Sequence, residues 1–109
     1  MATTKDFLDL VLDNLGTDAN ARPMMGEYLL YWRGTLVGDI CDNCLYLKIT
    51  PSSQRLLPDA EKGYPYEGSR TLMLMPDCIE DPVRMRGILD AMLPELPEKP
   101  KNGKRRRSL

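Results

Sequence analysis

Three cysteines carry the sharpest chemical signal in this 109-residue chain. Cys41-Asp42-Asn43-Cys44 has the spacing of a zinc knuckle or of a redox dithiol, and Cys78 is the only other cysteine. A structural zinc ion takes four ligands, so the three sulfurs would need Asp42 or a second chain to complete the set. A thioredoxin-like dithiol sits at a helix N-terminus, where the dipole lowers the thiol pKa. Here the Asp-Asn pair instead marks a tight turn between two strands. The plainer reading is a pair of reduced thiols on a turn, with Cys78 as a small apolar filler. Cys41, Cys44 and Cys78 stay as metal or thiol candidates beside it.

The chain contains no histidine. It therefore lacks the commonest general base near neutral pH and the commonest metal ligand, and no Ser-His or Cys-His pair can form within it. Asp6, Asp18, Asp42, Asp59 and Asp81 fall at helix caps and turns, where carboxylates serve the backbone. Ser52 and Ser53 read as caps of a short helix. There is no glycine-rich phosphate loop. Neither enzymatic activity nor a cofactor is expected.

The remaining candidates are binding residues. Tyr28, Trp32, Tyr46 and Lys48 fall in predicted strands and are the candidates for a protein contact on the sheet. Lys104, Arg105, Arg106 and Arg107 are candidates for weak, salt-sensitive contact with nucleic-acid phosphates. From Lys99 onward there are six basic residues and no acid, which leaves a net charge of −7 over residues 1–98. An acidic body repels a phosphate backbone, so any such contact is assigned to the tail.

The elements that position these residues can be read from periodicity. Residues 4–15 form a helix, with Thr3 and Asp6 as a capping box, Phe7, Leu10, Val11 and Leu15 as the apolar stripe and Gly16 as the stop. Residues 17–26, with Asn20, Pro23 and Gly26, read as a connector. Three strands follow at 27–32, 35–41 and 44–50, joined by tight turns at Arg33-Gly34 and Asp42-Asn43. Strict alternation puts Leu36, Gly38 and Ile40 on one side of the middle strand and Thr35, Val37 and Asp39 on the other. A short helix at 52–57, a loop at 58–69 and a strand at 71–75 come next. The last helix opens at Asp81-Pro82 and carries Met85, Ile88, Leu89, Met92 and Leu93. From Pro94 the chain turns proline-rich and then basic, and a mobile tail is expected.

This order predicts an α+β fold, a two-layer sandwich of an antiparallel sheet covered by helices on one face. One domain is expected over residues 1–97, with a flexible basic tail over 98–109. No stretch is apolar enough to cross a bilayer and no secretory signal opens the chain, so a cytoplasmic location, without membrane contact, is expected.

Met24-Met25-Gly26-Glu27-Tyr28-Leu29-Leu30-Tyr31, then Gly34-Thr35-Leu36-Val37-Gly38, then Leu45-Tyr46-Leu47-Lys48, resemble the TfoX (Sxy) N-terminal domain family. The preceding helix, the Pro-Tyr loop and the run from Glu80-Asp81-Pro82 to Met92-Leu93-Pro94 fit the same layout, so the resemblance spans about residues 5–97. It implies an α/β sandwich similar to secretion chaperones, a regulatory or protein-interaction role related to competence and transcription regulators, and a homodimer as one arrangement. Full-length regulators of that family carry a second, DNA-binding-like domain, for which 109 residues leave no room. The chain is expected to be a stand-alone module whose partner is a protein.

Overall fold

The computed structural model describes residues 3–97. Its elements in chain order are α1 (Lys5–Leu15), β1 (Ala19–Met24), β2 (Glu27–Trp32), β3 (Thr35–Cys41), β4 (Cys44–Leu47), α2 (Pro51–Leu56), β5 (Glu61–Gly63), β6 (Met73–Met75) and α3 (Pro82–Met92), followed by a 3-10 turn at Leu93–Glu95. The strands form one six-stranded sheet in the order β1-β2-β3-β4-β6-β5, and every pairing is antiparallel. Helices and strands thus mix as an α+β fold.

One face of the sheet is roofed. Val11 and Leu15 of α1 and Met85, Ile88, Leu89 and Met92 of α3 pack with Leu30, Trp32, Val37, Ile40, Leu45 and Leu47 of the strands in one core. A separate, smaller cluster of Cys41, Tyr46 and Met73, with Cys44 and Met75 beside it, contains no helix residue. Strand alternation puts that cluster on the outer face. Among the described residues no helix is long and apolar enough to cross a membrane.

Several elements differ from the sequence reading. The connector at 17–26 contains β1, an edge strand paired from Ala19↔Trp32 to Met24↔Glu27. An edge strand tolerates Pro23, because a missing N–H can face solvent there. The loop at 58–69 holds β5, the opposite edge. Thr4, not Thr3, caps α1 by accepting from the Phe7 amide, and Leu10 stands 41% exposed while Leu8 and Leu12 pack inward. The cap of α2 is Thr50, in a reciprocal box with Ser53, and Pro51 occupies the first turn. Ser52 does not cap; its amide and hydroxyl both donate to Glu95, at 3.0 and 2.6 Å. That contact ties the turn after α3 to the start of α2.

The middle strand carries the most consequential difference. Leu30 pairs with Gly38, but Tyr31 pairs with Leu36, so Val37 is an extra residue, a β-bulge. The bulge shifts the alternation by one. Val37 enters the main core fully buried. Leu36, expected beside Gly38 and Ile40, falls instead on the outer face opposite Tyr31.

Candidate functional site

The β1–β2 hairpin, the β3–β4 hairpin and the N-terminus of α1 meet at one end of the sheet. Two-residue turns with both residues at positive φ close the hairpins, Met25-Gly26 in one and Asp42-Asn43 in the other. This geometry matches the twist of the flanking strands. Glu27 ties the three elements together. Its carboxylate accepts from the Thr3 amide at 2.9 Å, the Thr3 hydroxyl at 2.6 Å and the Asp42 amide at 3.3 Å. The Asn43 side chain accepts from the Thr4 amide at 2.8 Å. Partial burial pushes the Glu27 carboxyl up, but the donors from Thr3 and Asp42 outweigh it and hold the pKa below the usual glutamate range.

A pH dependence follows. A carboxylate held below its unfolded value stabilises the fold above about pH 4.3 and loses that contribution as pH falls through the folded value. Glu27→Gln is expected to lower the melting temperature at pH 7 and to flatten the acid limb of a melting-temperature profile. Coincident profiles for the two proteins would show that the clamp contributes nothing.

The outer face of β1 to β4 carries Arg22, Leu29, Tyr31, Leu36, Asp39 and Tyr46, with Lys48 just past β4. Arg22 sits over the Tyr31 ring at 5.8 Å. Leu29 and Leu36 are half-buried. Asp39 lies opposite Tyr46, and burial raises its pKa while Lys48 pulls it down. Burial also raises the Tyr46 phenol. The face therefore mixes apolar side chains with one partly desolvated carboxylate and two cations, Arg22 and Lys48, a composition suited to binding a protein surface.

The contact candidates do not share one surface. Tyr46 is on the outer face, 8% exposed, and Lys48 is half-buried near it. Tyr28 packs against the main core. Trp32 is corrected from contact residue to core residue: it is 1% exposed on the helix side, and its indole N–H donates to Asp90 of α3 at 2.8 Å. Alternation along β2 decides this, since Tyr28, Leu30 and Trp32 share one face. Lys104, Arg105, Arg106 and Arg107 lie outside the described residues.

The cysteines are divided as well. Cys41 and Cys44 are cross-strand neighbours. Cys78 is in the main core, its thiol donating to the Met85 sulfur at 3.6 Å. A shared three-sulfur site is thus corrected by the sheet that lies between them. Burial, with Asp39, Glu27 and Asp42 around it, pushes the Cys41 thiol up to about 12, and burial raises Cys78. Thiols so shifted stay protonated near neutral pH and are poor nucleophiles. Among the described residues no three metal-ligating side chains converge.

Alternation places Asp39 on the face opposite Ile40, as the structure has it, but does not single out Leu29 or Leu36 for the outer face. The bulge hides Leu36 from strict alternation. The Glu27 clamp leaves one trace in sequence, its place directly after the Met-Gly turn.

A protein from Spirochaeta aurantia, described as an uncharacterized 12.7 kDa protein in the trpE 5′ region, is 33% identical over 107 residues, spanning 95% of this chain and 93% of its own length. The chain belongs to that protein's family. No protein-family model matches the chain, and no solved structure matches it. The shared span runs through both hairpins and all three helices, so the outer face lies within the part held in common with the family.

Proposed function

We propose that this chain is a non-enzymatic protein-interaction module of the TfoX N-terminal-domain kind, regulatory in role and cytoplasmic, which meets its partner through the outer face of β1 to β4. One observation carries the reading. The helices pack on one side of the sheet, while half-buried Leu29 and Leu36 stand on the other with Asp39 and Lys48 among them, beside the buried rings of Tyr31 and Tyr46. A sheet face bearing apolar side chains without a helical layer is suited to a second protein, since covering it removes apolar area from water. The resemblance of the Met-Gly-Glu-Tyr and Leu-Tyr-Leu-Lys segments to the TfoX N-terminal domain supports the same reading. So does the dispersal of the nucleophilic and acidic groups: Glu27 is consumed by backbone donors, and Cys78 is packed against Met85.

Affinity capture from the native host tests it. A protein retained by the natural chain should be lost with Leu29→Arg combined with Leu36→Arg, while circular dichroism and melting stay near natural. Interface centres typically lose about 2 kcal/mol or more when disrupted, enough to empty a micromolar complex. Retention of the same partner by the folded double variant contradicts the assignment of the face.

A further inference from the structure

Two of the six large apolar side chains most exposed among the described residues, Met25 and Tyr66, line one recess, and two more lie on the same loop as Tyr66. Met25 is 97% exposed at the β1–β2 tip, and Tyr64, Tyr66 and Leu72 lie on the 64–72 loop. Met24, Met25, Glu27, Tyr66 and Glu67 line a recess of about 360 Å³ between the tip and that loop. Met25 holds a left-handed conformation, φ 52°, ahead of Gly26 at φ 86°. That conformation costs an L-residue about 1–2 kcal/mol, and asparagine or aspartate would suit it better. The turn thus carries a strained, solvent-facing methionine above a recess that has two carboxylates in its walls.

We propose that this recess is the docking site for the chain's own basic segment, Lys104-Arg105-Arg106-Arg107. Charge complementarity favours that occupant: residues 1–98 carry a net −7, and residues 99–109 carry six cations and no acid. The recess chemistry suits arginine in particular. The Tyr66 ring accepts a guanidinium on its face, Glu67 supplies carboxylate oxygens beside the negative charge of Glu27, and the methionines cover the aliphatic stem.

The reach is sufficient. Leu93, Pro94 and Leu96 lie beside Thr35, at the β2–β3 turn, so the segment departs from the end of β2 opposite Glu27. The length of β2 is about 17–20 Å at about 3.4 Å per residue. Lys104 to Arg107 stand seven to ten residues past Pro97, an extended span of about 23–36 Å. A segment tethered this closely faces the recess at a millimolar-scale effective concentration, so weak contacts suffice.

Methionine oxidation reads the contact directly. The full chain is treated with dilute hydrogen peroxide, and sulfoxide at Met25 is followed by peptide mass spectrometry. At about 0.01 M salt, where the screening length is about 30 Å, Met25 is expected to oxidise several-fold more slowly in the natural chain than in a full-length variant carrying Lys104→Ser, Arg105→Ser, Arg106→Ser and Arg107→Ser. At about 1 M salt the difference should vanish, because the screening length falls to about 3 Å. Glu67→Lys, with the basic segment intact, should abolish the protection. Equal rates in the natural and serine chains at low salt overturn the proposal, as does full protection in Glu67→Lys. Protection that rises with protein concentration assigns the recess to a second copy and overturns the intramolecular contact.

Discussion

Gly38→Ala is expected to be the most damaging single-atom-scale change in the sheet. A Cβ at position 38 would sit inside the envelope of the Tyr46 carbonyl oxygen, 3.0 Å from its carbon and 3.2 Å from the Leu47 Cα. All three neighbours are backbone, so no side chain can swing aside. The strands must separate, at or above the upper end of the about 1–3 kcal/mol that overpacking usually costs. Gly38 pairs with Leu30 on one side and Leu47 on the other, next to the bulge, so the damage spreads to both ladders. The alanine variant should unfold at markedly lower urea than the natural protein. Gly87→Ala makes the control, since nothing lies within 4 Å of a Cβ there and α3 gains a better helix former. It should be stabilising by about 0.5–1 kcal/mol. A Gly38→Ala protein as stable as the natural one would mean that β3 and β4 do not approach as described.

Trp32→Ala is the second large effect. The ring is buried at the centre of the roofed face and reaches α3 through its indole N–H bond to Asp90. Removing a buried tryptophan typically costs about 3–5 kcal/mol, a large part of the about 5–15 kcal/mol that holds a small domain together. Trp32→Phe keeps most of the packing and loses the bond to Asp90. That carboxylate is half-exposed and stays hydrated, so the loss should be only about 1 kcal/mol. Urea unfolding separates the two roles. An alanine variant with natural stability but impaired partner capture would return Trp32 to the list of contact residues.

Much of this architecture can be read from the chain. The stripe Met85, Ile88, Leu89 and Met92 defines the buried side of α3, Asp81 and Pro82 mark its start, and Gly16 ends α1 at φ 87°. The turns at Arg33-Gly34 and Asp42-Asn43 fall where their residue types place them. The edges are harder. β1 contains Asn20 and Pro23, which punctuate a chain in isolation, and β5 is only Glu-Lys-Gly. Both are strands because a neighbour supplies hydrogen bonds, a tertiary cause with no local signature. The site suffers from the same gap. One extra residue at Val37 moves Leu36 to the outer face, and period-two reasoning has no means to anticipate an insertion that depends on pairing with β2. Cys78 illustrates another limit, because sequence spacing places sulfurs along the chain and says nothing of the sheet between them.

Site-specific photo-crosslinking in the native host tests the interaction face most directly. A photoreactive residue is placed at Leu29 or Leu36 on the outer face, and at Val83, which is 74% exposed on the helix side, as a control. The account predicts one discrete crosslinked protein from both outer-face positions and none from Val83. Crosslinking from Val83 with none from Leu29 or Leu36 would contradict it.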